Sequence, residues 1–329
     1  MEYAISDVAR IIGAKTSKLH ECTISILLTD SRRISFPEPS LFFALTTMTN
    51  DGHKYVADLY KSRVRNFVVC KMLPEYEQMQ DANFLLVKDV LRALQKLVIF
   101  HRKRFQIPVI GITGSNGKTV VKEFLYQLLH NEFNIVRSPR SYNSQIGVPL
   151  SVWEMNENNT LGIFEAGISQ PDEMEYLQPI IAPTIGVLTS IGEAHQENFL
   201  SMNQKCQEKL TLFTDCEAII YDGDNAFLSN AIETACLSHK AIAWSRIDTD
   251  APLYIESVEK RENETVIHCT LLGLDQTYTI PFTDDASIEN VIQCLAVMLY
   301  LKPTSAKEVE KFARLEPVEM RLDVKEGIN

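Results

Sequence analysis

A chain of 329 residues, 45% hydrophobic and 23% charged, exceeds what one hydrophobic core serves and has the composition of a multi-domain globular protein. Its formal charge of −11 argues against broad nucleic-acid binding, while leaving room for a local basic pocket that takes an anionic metabolite. No apolar run approaches the length of a bilayer span, and the start Met-Glu-Tyr-Ala-Ile-Ser-Asp lacks the character of a signal peptide. The seven cysteines are odd in number and have no C-x-x-C spacing, so they read as reduced, mostly buried thiols of a cytoplasmic protein.

Residues 1–105 read as a small mixed α/β unit. Ile5-Ser-Asp-Val-Ala-Arg-Ile-Ile12 has the spacing of a short amphipathic helix ended by Gly13. Thr29-Asp-Ser-Arg-Arg33 is a polar turn, Leu41-Phe-Phe-Ala-Leu45 a buried strand, and Asp51-Gly-His53 opens a helix. Strands at 66–70 and 84–87 and a helix over 90–104 complete the unit.

Residues 106–314 alternate strand and helix, as a mainly parallel sheet requires. Strands are expected at 108–112, 161–165, 184–188, 217–221 and 241–244. Helices are expected at 118–130, 146–155, 171–179, 201–213, 224–236, 287–300 and 304–314. The segment 252–282 alternates apolar and polar residues and suggests a β-hairpin appended to the sheet. Residues 315–329 show no core-forming pattern and read as a linker.

The strongest chemical signal is Gly111-Ile-Thr-Gly-Ser-Asn-Gly-Lys-Thr119, set between an apolar strand and a helix. Three of the chain's 13 glycines fall between 111 and 117. This clustering fits a loop whose backbone N–H groups cradle phosphate at a helix N-terminus. The loop is not a strict G-x-x-x-x-G-K-[ST] motif, because Ile112 stands where its first glycine belongs. Gly114, Ser115, Asn116 and Gly117 would still surround the phosphates, Lys118 would reach the terminal ones, and Thr119 would hold Mg²⁺. The reading is of a nucleoside triphosphate site.

Glu165 ends the next expected strand and precedes Ala166-Gly167. A carboxylate at the carboxyl end of a parallel strand beside a phosphate loop is placed for Mg²⁺, the alternative being a solvated strand end. Thr189-Ser-Ile-Gly-Glu-Ala-His195 follows the strand after that, which brings His195 to the same sheet edge as a candidate ligand. Asn290 and Asp222-Gly-Asp-Asn225 are candidate adenine or ribose contacts, or helix N-caps. Lys209, on a helix, says nothing by composition alone.

Taken together, the glycine loop, Glu165-Ala-Gly, His195 and Glu208-Lys209-Leu resemble the Mur ligases of peptidoglycan synthesis, over nearly the whole chain. Ser141-Tyr-Asn-Ser-Gln-Ile-Gly-Val-Pro-Leu150 resembles the branch that adds D-alanyl-D-alanine, in a form sometimes fused to alanine racemase. Asp30-Ser-Arg32, Leu41 to Leu45 and Asp51-Gly-His53 are similar to that branch's UDP-sugar domain.

The resemblance implies an ATP-dependent ligase that phosphorylates the terminal carboxylate of UDP-N-acetylmuramoyl-tripeptide and joins D-alanyl-D-alanine to it. It implies Mg²⁺ on Thr119 and Glu165, a second Mg²⁺ on His195, an adenine contact from Asn290, and Lys209 carbamylated as an anionic ligand. Lys118, His195 and Lys209 would then be the catalytic residues, and Ser31, Arg32 and His53 would serve the UDP-muramoyl peptide. The chain departs from the family at Pro37-Glu-Pro-Ser40 and Thr46-Thr-Met48, where glycine-containing turns are usual. A third, amine-binding domain is expected beyond the hinge position of Arg321, so ligation by residues 1–329 alone is expected to be weak or absent. A different Mur-type or folylpolyglutamate-type ligase, or a non-catalytic nucleotide-binding module, are the other readings.

Overall fold

The computed structural model describes residues 1–32, 34–192, 198–301 and 306–318. In the N-terminal unit these are β1 (Tyr3–Ala4), α1 (Ile5–Ile12), β2 (Thr23–Ile24), β3 (Ile26–Leu28), β4 (Ser40–Phe43), α2 (Val56–Lys61), β5 (Asn66–Val69), β6 (Asn83–Leu86) and α3 (Val90–Arg102). Strands β3-β4-β5-β6 form a parallel sheet in that order. Helix α1 exists because Ile5, Val8, Ala9 and Ile12 make one buried stripe at helical spacing. It stops because Gly13 turns left-handed at φ 70° and its N–H, with that of Ala14, closes onto the carbonyls of Arg10 and Ala9. Helix α3 starts where Asp89 accepts the Arg92 N–H.

The second unit comprises β7 (Val109–Thr113), α4 (Lys118–Leu129), β8 (Ile135–Arg137), α5 (Gly147–Trp153), β9 (Leu161–Glu165), α6 (Met174–Ile181), β10 (Ile185–Leu188), α7 (Met202–Leu210), β11 (Ala218–Asp222), α8 (Ala226–Thr234) and β12 (Ala241–Ser245). It continues through β13 (Leu253–Lys260), β14 (Thr265–Leu271), β15 (Leu274–Ile280), α9 (Asp285–Leu301) and α10 (Ala306–Phe312). Among the described residues its sheet has nine strands in the order β15-β14-β13-β12-β11-β10-β7-β9-β8. The run from β8 to β13 is parallel, and β13-β14-β15 is antiparallel.

Strands β7, β9 and β10 are buried along their whole length because helices cover both faces. Alternation sorts their side chains: Ile110, Ile112, Ile163 and Val187 pack with α4 and α9, whereas Phe164 and Leu188 join the layer containing α5 and α6. That second layer is continuous with the core of the N-terminal unit. Helix α3 makes the joint, with the His101 ring hydrogen-bonded to Tyr3 Oη (2.8 Å) and to the Met155 carbonyl (2.9 Å). Arg102, also buried, donates to the carbonyls of Ile181 and Ala182.

The mixed α/β unit, the parallel central sheet and most predicted elements appear within one to three residues of expectation. The expected appended hairpin is instead a three-stranded antiparallel extension. Here β13 pairs with β12 through Trp244↔Leu253, and the hairpin β14–β15 follows it. Asn290 does not open its helix: α9 begins at Asp285, and Asp284 accepts the Ser287 N–H as its cap. The short strands β3 and β8 carry too few residues to announce themselves by periodicity.

At Gly186, in β10, an added Cβ would meet the Phe213 ring at 2.4 Å. Gly186→Ala should therefore lower unfolding free energy by about 1–3 kcal/mol through overpacking. Urea denaturation followed by circular dichroism measures it, and an unchanged midpoint would contradict this packing.

Candidate nucleotide and metal site

The glycine loop emerges from β7 and is braced by the segment after β10. Ser115 N–H donates to the Ser190 carbonyl (2.7 Å), Ser115 Oγ to Gly192 (3.1 Å), and Thr189 Oγ1 to the Asn116 carbonyl (2.6 Å). This bracing leaves no room for side chains. A Cβ on Gly114, at φ +149°, would lie 1.9 Å from Thr189 Oγ1, and one on Gly117, at φ +83°, would lie 2.5 Å from Asn290 Oδ1. No side chain caps α4, whose first turn therefore keeps free N–H groups for an anion. Lys118 Nζ folds back on the carbonyls of Gly114 (2.9 Å) and Ser115 (3.1 Å), and burial lowers its pKa.

Glu165 reaches this loop through the pairing of β7 with β9, in which Ile112 lies opposite Glu165. Thr119 Oγ1 donates to Glu165 Oε2 (3.1 Å), and Asn143 Nδ2 approaches the same oxygen at 3.5 Å. The other oxygen, Oε1, is buried, lies 3.0 Å from Lys122 Nζ, and accepts no directed hydrogen bond. A fully buried carboxylate beside a hydroxyl and a phosphate cradle is the donor set of a hard cation, so the residues fit Mg²⁺. Among the described residues no three His, Cys, Asp or Glu side chains gather to hold a metal. Mg²⁺ suits such a site, since phosphate oxygens and water supply most of its ligands.

Lys205 and Lys209 stand four residues apart on α7, and both are buried. Lys209 Nζ donates to the Gly114 carbonyl (3.1 Å), the oxygen that Lys118 also uses. Burial, and then the neighbouring Lys118 and Lys205 ammonium groups, pull the pKa of Lys209 down to about 7. A lysine with that pKa carries a substantial neutral, nucleophilic fraction at physiological pH.

Two cavities flank the loop. One, of about 170 Å³, is lined by Gly114, Lys118, Asn143, Gln145, Ser169 and Lys209. The other, of about 230 Å³, is lined by Asn116, Gly117, Asp222, Asn225, Trp244 and Asn290. Asn225 is the N-cap of α8, accepting from the N–H groups of Phe227 and Leu228. Asn290 caps nothing and presses on Gly117 from inside α9.

The structure thus brings Gly114, Ser115, Asn116, Gly117, Lys118, Thr119, Glu165, Lys209 and Asn290 together. His195 and Arg321 lie outside the described residues. Ser31 and Arg32 are in the loop after β3, and His53 is in the 3-10 turn Gly52–Tyr55 that leads into α2, both in the N-terminal unit. Arg32 is exposed and clasps Asp30 through Nε (2.9 Å) and Nη2 (2.8 Å). His53 is buried, with Nδ1 2.6 Å from Asp51 Oδ1 and Nε2 accepting the Cys70 N–H (3.1 Å). Both ring nitrogens are therefore engaged within the unit, and His53 holds Asp51 in place. The sequence gives no sign of Lys122, and it presents Asn143 within the Ser141–Leu150 stretch and Thr189 and Ser190 ahead of His195 without assigning them a contact. Lys122 looks like any helix lysine in sequence, and the bracing bonds of Thr189 and Ser190 depend on the pairing of β10 with β7, which no local pattern reveals.

A family model described as Mur ligase middle domain matches residues 112–298. A UDP-N-acetylmuramoyl-tripeptide--D-alanyl-D-alanine ligase from Bacillus subtilis (strain 168) is 26% identical over 325 residues, covering 97% of this chain and 68% of that protein. MurF from Acinetobacter baumannii superposes with a TM-score of 0.87 at 21% identity, over 98% of this chain and 70% of the other. MurF ligase from Thermotoga maritima, solved in complex with ADP, gives 0.77 at 20% identity, over 89% of this chain and 66% of the other. The chain spans about two thirds of the length of each of these three proteins.

Gly114→Ala should cost some stability through the clash and its positive φ, and the protein that folds should lose at least about tenfold in affinity for ATP, about 1.4 kcal/mol, because its Cβ displaces Thr189 from the loop. Calorimetric titration with ATP tests this, and wild-type affinity would show that the brace is dispensable.

Proposed function

The chain belongs to the Mur ligase family of ATP-dependent amide ligases, and from that membership we propose that it serves the step joining D-alanyl-D-alanine to UDP-N-acetylmuramoyl-tripeptide. We assign residues 1–105 to the UDP-muramoyl peptide, 106–314 to ATP, and 315–329 to a connection onward. The observation that carries the reading is convergence on one carbonyl. Lys118 from the start of α4 and Lys209 from α7 both donate to Gly114 O, beside the Thr119–Glu165 pair and a polar cavity.

The chemistry follows from charge. A substrate carboxylate and the terminal phosphate of ATP repel each other, so a site that joins them must hold cations and dipoles in place beforehand. The first turn of α4 and the loop amides receive the phosphates, and Lys118 swings from the Gly114 and Ser115 carbonyls to neutralise them. Asn143 and Gln145 line the cavity where the peptide carboxylate would enter. An acyl phosphate forms as the carboxylate oxygen takes the phosphoryl group and ADP leaves. An amine then attacks the acyl carbon and phosphate departs. Thr119 and Glu165 would hold Mg²⁺, which supplies charge neutralisation on the phosphate oxygens when bound. Lys209, neutral in part at pH 7, is fit to take up CO₂ as a carbamate. The retention of Lys118, Thr119 and Glu165 together at one cavity favours a ligase over a non-catalytic module.

Calorimetry with ATP–Mg²⁺ present should rank UDP-muramoyl-tripeptide above the dipeptide form and UDP. Equal or absent binding of all three would overturn the substrate assignment. With ¹³C-bicarbonate, NMR should show a carbamate signal at pH 8 that fades as pH falls below about 7, where Lys209 protonates. The signal should be missing in Lys209→Ala, and no signal at any pH in the wild type would remove the carbamate from the scheme.

A further inference from the structure

The structure assigns Lys122 as a positioning residue for the divalent cation, an inference that rests on the nucleotide-site reading. Lys122 follows Lys118 by one helical turn of α4 and is fully buried. Its ammonium group lies 3.0 Å from Glu165 Oε1 and 3.1 Å from Glu123 Oε1. It donates to the carbonyls of Ser138 (2.8 Å) and Arg140. Glu123 is held in turn by Arg137, whose Nη1 is 2.6 Å from both carboxylate oxygens.

Stability gives a poor reason for this arrangement. Two charges without solvent are costly, and an apolar pair of the same volume is often as stable or more so. Orientation gives a better one. With Lys122 on the Oε1 side, the carboxylate turns Oε2 toward Thr119 Oγ1 and Asn143 Nδ2, the side on which the phosphate loop opens. The same ammonium group fixes the root of the segment that lines the substrate cavity. Ser138 and Arg140 begin the stretch leading to Asn143, Ser144 and Gln145, and Arg140 sits there at φ 51°, a backbone state that a non-glycine residue keeps only when held. Ser138 Oγ also accepts the Glu165 N–H (3.2 Å), closing the ring around the carboxylate. One buried cation thus sets both the metal-facing oxygen of Glu165 and the register of the loop beside it.

The test is a titration of Mn²⁺, followed by electron paramagnetic resonance, with a non-hydrolysable ATP analogue bound. Lys122→Met should weaken Mn²⁺ binding by about 10–100-fold, the usual effect of removing a group that orients a ligand. Affinity for the analogue without metal should change by less than about twofold, since the loop amides and Lys118 remain. Glu165→Gln should weaken Mn²⁺ as well, and the double variant should lose little more, because Lys122 acts through Glu165. Should Lys122→Met fail to fold, Lys122→Gln carries the same comparison, keeping donors for the two carbonyls without the charge. Wild-type Mn²⁺ affinity in a folded Lys122 variant, or additive losses in the double variant, would overturn the inference. Absence of a Mn²⁺–nucleotide complex in the wild type would overturn the nucleotide-site reading itself, and this inference with it.

Discussion

The register of β7 against β9 is the constraint from which the rest of the site follows. Ile112 lies opposite Glu165, so the strand that leads into the phosphate loop and the strand that ends in the carboxylate finish at the same level. Thr113 Oγ1 then donates to the Ala166 carbonyl (2.8 Å), locking the two strand ends together. A slip of one residue would turn Glu165 to the opposite face and leave Thr119 without its partner. Strand β10 pairs on the other side of β7 and delivers Thr189 and Ser190 as the brace of the loop. Parallel pairing is suited to this, because every strand presents its carboxyl end at one edge.

That edge concentrates positive charge in a chain whose net charge is −11. Lys118, Lys122, Lys205 and Lys209 all come from two helices beside the loop, and three of them are buried. Ammonium groups gathered out of water demand anions or carbonyl oxygens. Lys122 has Glu165 and Glu123, whereas Lys118 and Lys209 share the Gly114 carbonyl and their pKa values fall. A polyphosphate ligand would answer that demand, which is why the proposed nucleotide site falls at this edge.

The N-terminal unit is packed onto this machinery. Trp153 Nε1 donates to the Ser25 carbonyl (2.8 Å), and the Trp153 ring packs with Tyr3 and His101 in a shared core. Burial keeps His101 neutral by lowering its pKa to about 4, which preserves its bonds to Tyr3 and Met155 across the physiological range. The joint also touches the site. Gln95 of α3 donates to Gln145 Oε1 (2.9 Å), and Gln145 donates to the Glu173 carbonyl (2.9 Å), so a cavity-lining residue is held from the N-terminal side.

By itself the sequence determined the local features. These are the glycine loop between strand and helix, the carboxylate at the end of β9, the alternation of parallel strands and helices, and the helix stop at Gly13. Each depends on neighbours within one or two turns of chain, where glycine, periodicity and capping act directly. Only the tertiary structure decided what meets across the sheet. Lys122 is one more helix lysine until β9 and the Ser138–Arg140 carbonyls close around it. Asn290 reads as a helix start until α9, beginning five residues earlier at Asp285, lays it against Gly117. The expected hairpin likewise gains β13 because the edge of β12 is free to pair, a fact of sheet order and not of local pattern. Burial and long-range pairing set these outcomes, and both are properties of the folded chain, since neither exists until distant segments have excluded water from between them.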